Sequence, residues 1–531
     1  MTATHPPIAA PDHAARLAAA IRRRLLGVAL RLLRQRTVQM FVADRPLAVA
    51  TALCALVSLA PLFVTTFLPL VDIGSNIGAA ALLDDVAFRH GIAAARYRVN
   101  WTPLPYWSGW SLMCLSSLAL GPFLSAKVIV ALGVLLVPLA VMRLLLALGR
   151  SPRLGLWAFL LAWDTNLYWG WVTFQIGVPA ALWLLAWLIE TNSWRGVVRC
   201  IPLSMFVALS HPHAVALLGV GALFQALVRP NRARALGQAA LALAGVAILI
   251  PWLVGQIGPG TGELHVEFDP LPDRLRQFFR FTLDVITSKG GATVTSLVFV
   301  LFIVGPPAIA AMRPVETPRR SGALALALVL APAVLYLALP FAISGAVEHW
   351  WTYPRYATYV LLGLLLLPAP DLRGRRALAL APGLVLLVGL SVARIEQFAS
   401  YDATTRPYLD IIAEMKPGSS FLPLDMELSW PGTREASLGQ LHGYAAAARS
   451  AYDPHLFDNP NMPLLYRHAG EPPQVDWFRL PESFSFERQG RYYDYIIIHP
   501  LSRDPLLGYR GRGVEWLRDA GTWRLYGVGK R

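Results

Sequence analysis

A long succession of apolar segments is the sequence feature that most constrains what this chain can fold into. The first segment runs from Leu47 to Leu70, and eleven more follow it before residue 393. At about 1.5 Å of rise per residue, about 20 apolar residues cross the hydrocarbon core of a bilayer. With 55% hydrophobic and only 15% charged residues, the 531-residue chain is predicted to be a polytopic helical membrane protein and not an ordinary soluble enzyme.

Basic residues cluster at alternate connections between the apolar segments. The clusters are Arg150/Arg153, Arg195/Arg199, Arg229/Arg232/Arg234, Arg313/Arg319/Arg320 and Arg373/Arg375/Arg376. By the positive-inside rule these connections are cytoplasmic, and so is the basic N-terminal region with its amphipathic stretch 14–36. The net charge of +15 therefore reflects orientation in the cell membrane, and binding to nucleic acid is discounted.

The other connections, and everything after residue 393, are then expected on the extracytoplasmic side. Twelve spans would leave both termini on the same side of the membrane, which conflicts with a cytoplasmic N-terminal region and an extracytoplasmic C-terminal domain. Prolines and serines interrupt the apolar segment Leu104–Leu120, so we expect this segment not to cross. One further, unrecognised span would place the two termini on opposite sides of the membrane equally well, so we expect about 11–13 spans. The predicted division is 1–45, a cytoplasmic basic segment; 46–393, a transmembrane domain with a long first outer loop at 71–107; and 394–531, an extracytoplasmic domain.

The composition after residue 394 is that of a water-soluble domain, with charges, prolines and aromatics interspersed. Its patterns predict helices at 408–415 and 513–519, and strands at 421–424, 493–500 and 523–528. The expected fold class is therefore mainly α: a polytopic transmembrane helical bundle with a small C-terminal α/β domain.

Asp72 is the first acid after the first apolar segment, where the membrane meets water. An ionisable group there is costly unless it is solvated or paired, which makes it a candidate functional residue. A carboxylate at this position can take a proton from an attacking group or bind a hard divalent cation such as Mg²⁺ or Mn²⁺. An Asp before a helical run also commonly caps that helix, and the sequence leaves both interpretations open.

Asp164 and Arg355 also fall on the predicted outer side. Asp164, in WDTNLYWGW, is a second catalytic acid or cation ligand, or else caps a helix or bonds to a neighbouring polar side chain. Arg355, in WWTYPRYATYV, stands where the positive-inside bias disfavours a cation. A planar guanidinium holds phosphate oxygens bidentately, so Arg355 is predicted to bind a phosphate, unless it is only an anchor in an aromatic belt.

Further acids and imidazoles on the same side are possible supporting residues. They are Asp84, Asp85, His211, His213, Glu348 and His349. Such a concentration suits metal-assisted or general-base chemistry on a lipid-borne substrate, although a polar turn between two spans explains the two histidines around Pro212 as well.

The arrangement resembles the GT-C superfamily, the polytopic glycosyltransferases that include protein O-mannosyltransferases and lipid A aminoarabinose transferases. Asp72 opens a long outer loop after the first span, as the family's catalytic acid does, and NWTPLPYW at 100–107 resembles the end of that loop. Asp164 falls where a second outer acid often occurs, and PRY at 354–356 resembles the Arg-Tyr that faces lipid phosphate. The helix, Pro-Gly, strand pattern of the C-terminal domain is also similar.

The resemblance implies transfer of a sugar from a polyprenyl-phosphate donor to an acceptor outside the cytoplasm. Asp72 would be the base or a metal ligand, Asp164 a supporting acid, and Arg355 the contact to the donor phosphate. Two alternatives stay open at this point: a transporter or flippase of a lipid-linked or small polar substrate, and a non-catalytic relative with the same fold. Transporters often show inverted repeats and mid-membrane ionisable groups, and the sequence shows neither.

Overall fold

The computed structural model of the chain describes residues 36–256, 263–283, 285–311, 319–345, 349–456, 462–468, 472–473, 475, 483–511 and 513–529. The predicted amphipathic stretch 14–36 lies outside these residues except for Arg36. The chain forms two compact units, residues 1–53 and 54–531. Every candidate site residue belongs to the second.

Seven helices in the described part of the chain are long and apolar enough to cross a membrane. They are Arg45–Phe63, Pro122–Ala147, Val172–Glu190, Arg232–Gln256, Lys289–Ala310, Arg319–Ala338 and Gly374–Glu414, and two shorter apolar helices are Pro152–Leu161 and Pro212–Leu227. The predicted polytopic helical architecture is confirmed. The number of long helices is smaller than the 11–13 predicted spans, because several apolar segments fold as shorter helices.

Three of these shorter helices are Trp107–Leu120, Ile201–Ser210 and Ala357–Leu364. The 14 residues of Trp107–Leu120 rise about 21 Å. That is less than the roughly 30 Å of a hydrocarbon core, so this helix alone is too short to cross. Further short helices are Arg36–Ala43, Thr165–Tyr168, Trp194–Val198 and Leu271–Gln277, and a 3₁₀ turn covers Pro354–Tyr356.

The helix Ile73–Asp84 follows the first span and is buried at every residue except Ala81. It packs against the C-terminal helix His442–Arg449 through glycines. A Cβ atom on Gly74 would come within 2.0 Å of the Gln440 carbonyl oxygen, and one on Gly443 within 2.3 Å of the Gly74 carbonyl oxygen. Only glycine fits so close a backbone approach, which docks the C-terminal domain onto the segment that begins at Asp72.

The C-terminal domain contains a four-stranded sheet in the order Phe421–Asp425, Tyr495–His499, Trp523–Val528, Val514–Ala520. The first pair is parallel and the other two are antiparallel. Two-stranded pairs join Tyr97–Val99 to Leu464–Tyr466 and His265–Glu267 to Ala342–Ser344. The helix Tyr408–Glu414 and three strands confirm the predicted elements at 408–415, 421–424, 493–500 and 523–528.

The predicted helix at 513–519 is wrong, because Val514–Ala520 is a strand. Its residues favour a helix locally, but it forms a hairpin with Trp523–Val528 around Gly521, whose φ is +58°. Pairing with the neighbouring strand overrides a weak local preference.

Candidate active site

The backbone at Asp72 is held by the segment that follows Asp164. The amide groups of Val71 and Asp72 donate to the carbonyl oxygens of Tyr168 and Trp169 at 2.9 and 3.1 Å. Gly170 has a φ of +77°, and a Cβ atom there would lie 2.8 Å from the Asp72 nitrogen. Two connections between apolar segments, far apart in the chain, therefore meet in backbone contact at Asp72.

The Asp72 carboxylate does not cap the helix that follows it, so that interpretation is wrong. Its Oδ1 accepts a hydrogen bond from Gln440 Nε2 at 2.8 Å. Burial raises the pKa of Asp72 to about 7, while the charge of Arg355 and hydrogen bonds from the Gln440 and Trp171 side chains lower it in part. The carboxyl group therefore changes protonation near neutral pH, where a general base is most useful.

The Arg355 side chain is 7% exposed and stacks on Trp171, with its guanidinium carbon 3.4 Å from the ring centroid. Its Nη2 donates to the Trp350 carbonyl oxygen at 3.3 Å. Nε and Nη1 are buried, and no described residue accepts a hydrogen bond from them. Unsatisfied buried donors of a charged group are costly, so these two atoms point to an anionic ligand. An interfacial anchor would be exposed, which Arg355 is not.

Trp171 lies between the two charged residues of this site, Asp72 and Arg355. Its side chain hydrogen-bonds to Asp72, and its ring face carries Arg355. Charge on Arg355 also acts on the Asp72 carboxyl group. The sequence identified Asp72 and Arg355 but missed Trp171 and Gln440. For Trp171 the only sequence signal is its position in an aromatic-rich segment. For Gln440 there is none, since it lies 368 residues from Asp72.

Asp164 is 1% exposed, and its carboxylate is occupied by protein donors. It accepts hydrogen bonds from the Leu167 amide at 3.0 Å, from Asn166 Nδ2 at 2.7 Å and from Gln175 Nε2 at 2.5 Å. Asn166 Nδ2 also donates to the Arg355 carbonyl oxygen at 3.1 Å. The helix-cap interpretation describes this geometry, and the cap ties the Asp164 turn to the backbone of Arg355.

Three candidate histidines gather near Arg355. The rings of His211 and His213 stack with centroids 5.2 Å apart, and the ring of His349 lies 5.6 Å from that of His213. The Tyr356 hydroxyl donates to the His213 carbonyl oxygen at 2.9 Å. Burial and the charge of Arg355 lower the pKa of His349 to about 4, so this imidazole is neutral at physiological pH.

The remaining supporting candidates do not join this group. Asp84 and Asp85 lie at the far end of the helix Ile73–Asp84, about 18 Å of helix from Asp72. There Asp84 pairs with Arg89 at 2.9 Å, and Asp85 accepts from the Ala93 amide at 2.9 Å. Glu348 lies outside the described residues.

A divalent cation at Asp72 and Asp164 remains a prediction without a ligand set. Within the described ranges, no three His, Cys, Asp or Glu residues are placed to hold a metal ion. Both Asp164 oxygens already accept protein hydrogen bonds, so the residues present do not fit a shared cation.

The fold is similar to that of a solved protein structure, whereas the sequence comparisons found no match. No protein-family model and no curated protein matches the chain. ArnT from Cupriavidus metallidurans in the apo state superposes with a TM-score of 0.50 at 13% identity, over 92% of this chain and 99% of that one. The same protein bound to undecaprenyl phosphate superposes with a TM-score of 0.46 at 12% identity, over 90% and 97%, and adds no argument. The expected fold class, a helical membrane bundle with a small C-terminal α/β domain, is confirmed, and its fold is similar to that of ArnT.

Proposed function

We propose that the chain is a GT-C glycosyltransferase that transfers a sugar from a polyprenyl-phosphate donor to an acceptor at the outer face of the membrane. One observation carries the proposal. A carboxylate that titrates near neutral pH and a buried guanidinium, two of whose donors have no acceptor among the described residues, share the indole of Trp171. General base and anion site thus lie side by side where the first membrane segment ends. The GT-C-like fold supports the same reaction class.

Arg355 is assigned to the donor phosphate. Its Nε and Nη1 lie on two different edges of the guanidinium, and each can donate a charge-assisted hydrogen bond to a phosphate oxygen, two-pronged only together with the remaining N–H of Nη2. Stacking on Trp171 and the Nη2 bond to the Trp350 carbonyl oxygen fix the plane of the group, so little side-chain entropy is lost when the ligand binds. The same contact stabilises the leaving phosphate as it gains charge in the transfer.

Asp72 is assigned as the general base. An acceptor hydroxyl or amine attacks the anomeric carbon, and the bond from this carbon to the phosphate oxygen breaks with both electrons staying on that oxygen. The acceptor proton passes to the Asp72 carboxylate. The products are the glycosylated acceptor and polyprenyl phosphate, and Asp72 returns its proton to water. No step is assigned to a metal ion.

Asp164 and Gln440 are assigned as positioning residues. Asp164 orients Asn166, whose side-chain amide binds the Arg355 carbonyl oxygen. Gln440 holds Asp72 Oδ1, while its own Oε1 is buried without a partner among the described residues. That oxygen is available to accept a hydrogen bond from the acceptor. The C-terminal domain would therefore complete the site and not only cover it.

The reaction class is tested with the full chain in detergent, where no compartments exist. Radiolabelled polyprenyl-phosphate sugar and a membrane extract of a deletion strain, which supplies acceptors, should yield a labelled product and free polyprenyl phosphate. A transporter or flippase moves substrate without breaking the sugar–phosphate bond, so intact donor after incubation would favour that alternative. Repeating the assay with a chelator tests the cation prediction.

The orientation is a separate part of the proposal. The alternation of arginine-bearing connections supports a cytoplasmic N-terminus and an extracytoplasmic C-terminal domain. Reporter fusions after residue 392 test it. Cytoplasmic behaviour of such a fusion would place the site on the inner face and contradict transfer outside the cytoplasm.

A further inference from the structure

A cavity of about 360 Å³ opens beside the loop that leads from the first span to Asp72. It is formed where three membrane helices end on the same side: the first span, the start of Pro122–Ala147 and the end of Ala381–Thr405. Its lining includes two cations, Lys127 and Arg406, and one acid, Asp402. The Asp72 site uses none of these three residues.

We propose that this cavity binds the phosphate group of a membrane lipid between Lys127 and Arg406. The proposal does not depend on the glycosyltransferase assignment, since it rests on different residues.

The charges in the cavity are unequal in number. Asp402 accepts a hydrogen bond from the Thr66 amide at 2.5 Å and lies 3.7 Å from Arg406 Nη1. It also acts electrostatically on Lys127. One carboxylate that already holds a backbone amide cannot neutralise two cations, so the cavity has a net positive charge. The Arg406 side chain is 70% exposed and free to turn toward a ligand.

The position of Lys127 supports an anionic ligand. It stands in the second turn of a 26-residue membrane helix and is half-buried. A cation at such a depth is costly unless it is paired or reaches the interface, and intramembrane ionisable residues therefore mark binding sites by default. A phosphate group at the interface supplies the missing negative charge.

The rim of the cavity distinguishes a lipid from a free anion. Phe63 is 79% exposed and Leu124 is 49% exposed, and both line the opening. These side chains end two membrane helices, so they face acyl chains when the helices lie in a bilayer. A lipid satisfies the cations and the apolar rim together, whereas inorganic phosphate satisfies the cations alone.

The test is native mass spectrometry of the delipidated full chain, titrated with phosphatidylglycerol, phosphatidylcholine or inorganic phosphate. We expect phosphatidylglycerol to bind, and the double variant Lys127→Gln/Arg406→Gln to lose about tenfold to a hundredfold in affinity for it. The charge-preserving variant Lys127→Arg/Arg406→Lys should retain most of the binding. The matched control is Arg373→Gln/Arg375→Gln, which removes two exposed charges near the other end of the helix that leads to Arg406.

Equal binding of phosphatidylglycerol to the wild type and to Lys127→Gln/Arg406→Gln would overturn the proposal. An equal loss in the control variant would do the same, since it would mean that overall charge decides. Inorganic phosphate that competes with the lipid at similar concentration would show an anion site without lipid preference. Thermal unfolding of each variant identifies any that fails to fold, and the single variants Lys127→Gln and Arg406→Gln then carry the comparison, with unchanged binding in both overturning the proposal.

Discussion

Two buried arginines of this molecule have opposite surroundings. Arg274 is 3% exposed, and it donates to the backbone carbonyl oxygens of Asp269, Leu337 and Leu339 at 2.7–2.9 Å. Arg355 is 7% exposed and makes one hydrogen bond, at 3.3 Å, while two of its nitrogens find no acceptor in the described part of the chain. Backbone carbonyl oxygens thus accept hydrogen bonds from Nε and Nη1 of Arg274, whereas the same two atoms of Arg355 have no acceptor among the described residues.

The two acids that the sequence offered as catalytic candidates differ in the same way. Asp164 accepts hydrogen bonds from three protein donors and is nearly inaccessible. Asp72 is half-buried and has oxygen capacity left beyond its bond to Gln440. We call Asp164 and Arg274 the closed pair, and Asp72 and Arg355 the open pair.

The difference teaches that burial of a charge does not by itself indicate function. A buried charge whose hydrogen bonds are all made by the protein belongs to the scaffold, since it needs nothing more. A buried charge with unmade hydrogen bonds carries an energetic cost that a ligand removes.

The largest effect is expected for Asp72→Asn. Loss of a general base typically slows turnover by about 10²- to 10⁴-fold, while the isosteric amide preserves packing and thermal stability. Release of polyprenyl phosphate from labelled donor measures turnover, with Asp164→Asn assayed beside it at equal amounts of folded protein. If Asp72→Asn lost folded protein in step with activity, Asp72 would belong with the closed pair.

The next effect concerns Arg355→Lys. An ammonium keeps the charge but not the two-pronged geometry, so donor affinity should fall about tenfold to a hundredfold. Binding is measured by titration with polyprenyl-phosphate sugar for the wild type, Arg355→Lys and Arg355→Ala. Arg274→Lys is the matched control, and it should lower thermal stability and leave donor affinity unchanged. A Lys variant at Arg355 that binds like the wild type would remove this residue from the site.

Asp164→Asn should act on stability more than on chemistry. The new amide group presents donors to Asn166 and Gln175, which themselves donate, and leaves a buried bond unmade at a cost of about 1–3 kcal/mol. Thermal unfolding of the full chain in detergent measures this loss. Turnover reduced as strongly as by Asp72→Asn, with stability intact, would instead make Asp164 catalytic.

The smallest effect is a shift in pH dependence on Gln440→Leu. The active form of Asp72 is the carboxylate, so turnover should rise with pH through about 7 in the wild type. The Gln440 hydrogen bond favours the charged form, and its removal should move the midpoint to higher pH by up to about one unit. A purely structural Gln440 would lower the rate at every pH and leave the midpoint in place.

The sequence predicted the fold class, which the structure confirms, and it proposed Asp72 and Arg355 as site residues, because both inferences follow from local signals. The length of an apolar segment predicts a membrane helix, and a charged residue beside such a segment is readily recognised as a candidate functional residue. It did not distinguish Asp72 from Asp164, since both precede short helices and only the side-chain partners separate them. The hairpin strand Val514–Ala520 was mistaken for a helix because its pairing partner, not its own composition, decides its structure.

The contributions of Trp171 and Gln440 to the candidate site depend on tertiary contacts that no local sequence pattern predicts. Gln440 reaches Asp72 only because Gly74 and Gly443 let two segments of distant sequence approach at backbone distance. Three of the candidate histidines lie together, which the sequence could not show, whereas Asp84 and Asp85 lie at the far end of the helix that begins beside Asp72.

The most direct test of the central claim is a cryo-EM structure of the full chain with polyprenyl phosphate. We expect phosphate oxygens within hydrogen-bonding distance of Arg355 Nε or Nη1, beside the Asp72 carboxylate, and we expect Arg274 to keep its carbonyl partners. A phosphate bound elsewhere, with both Arg355 nitrogens still unpartnered, would contradict it.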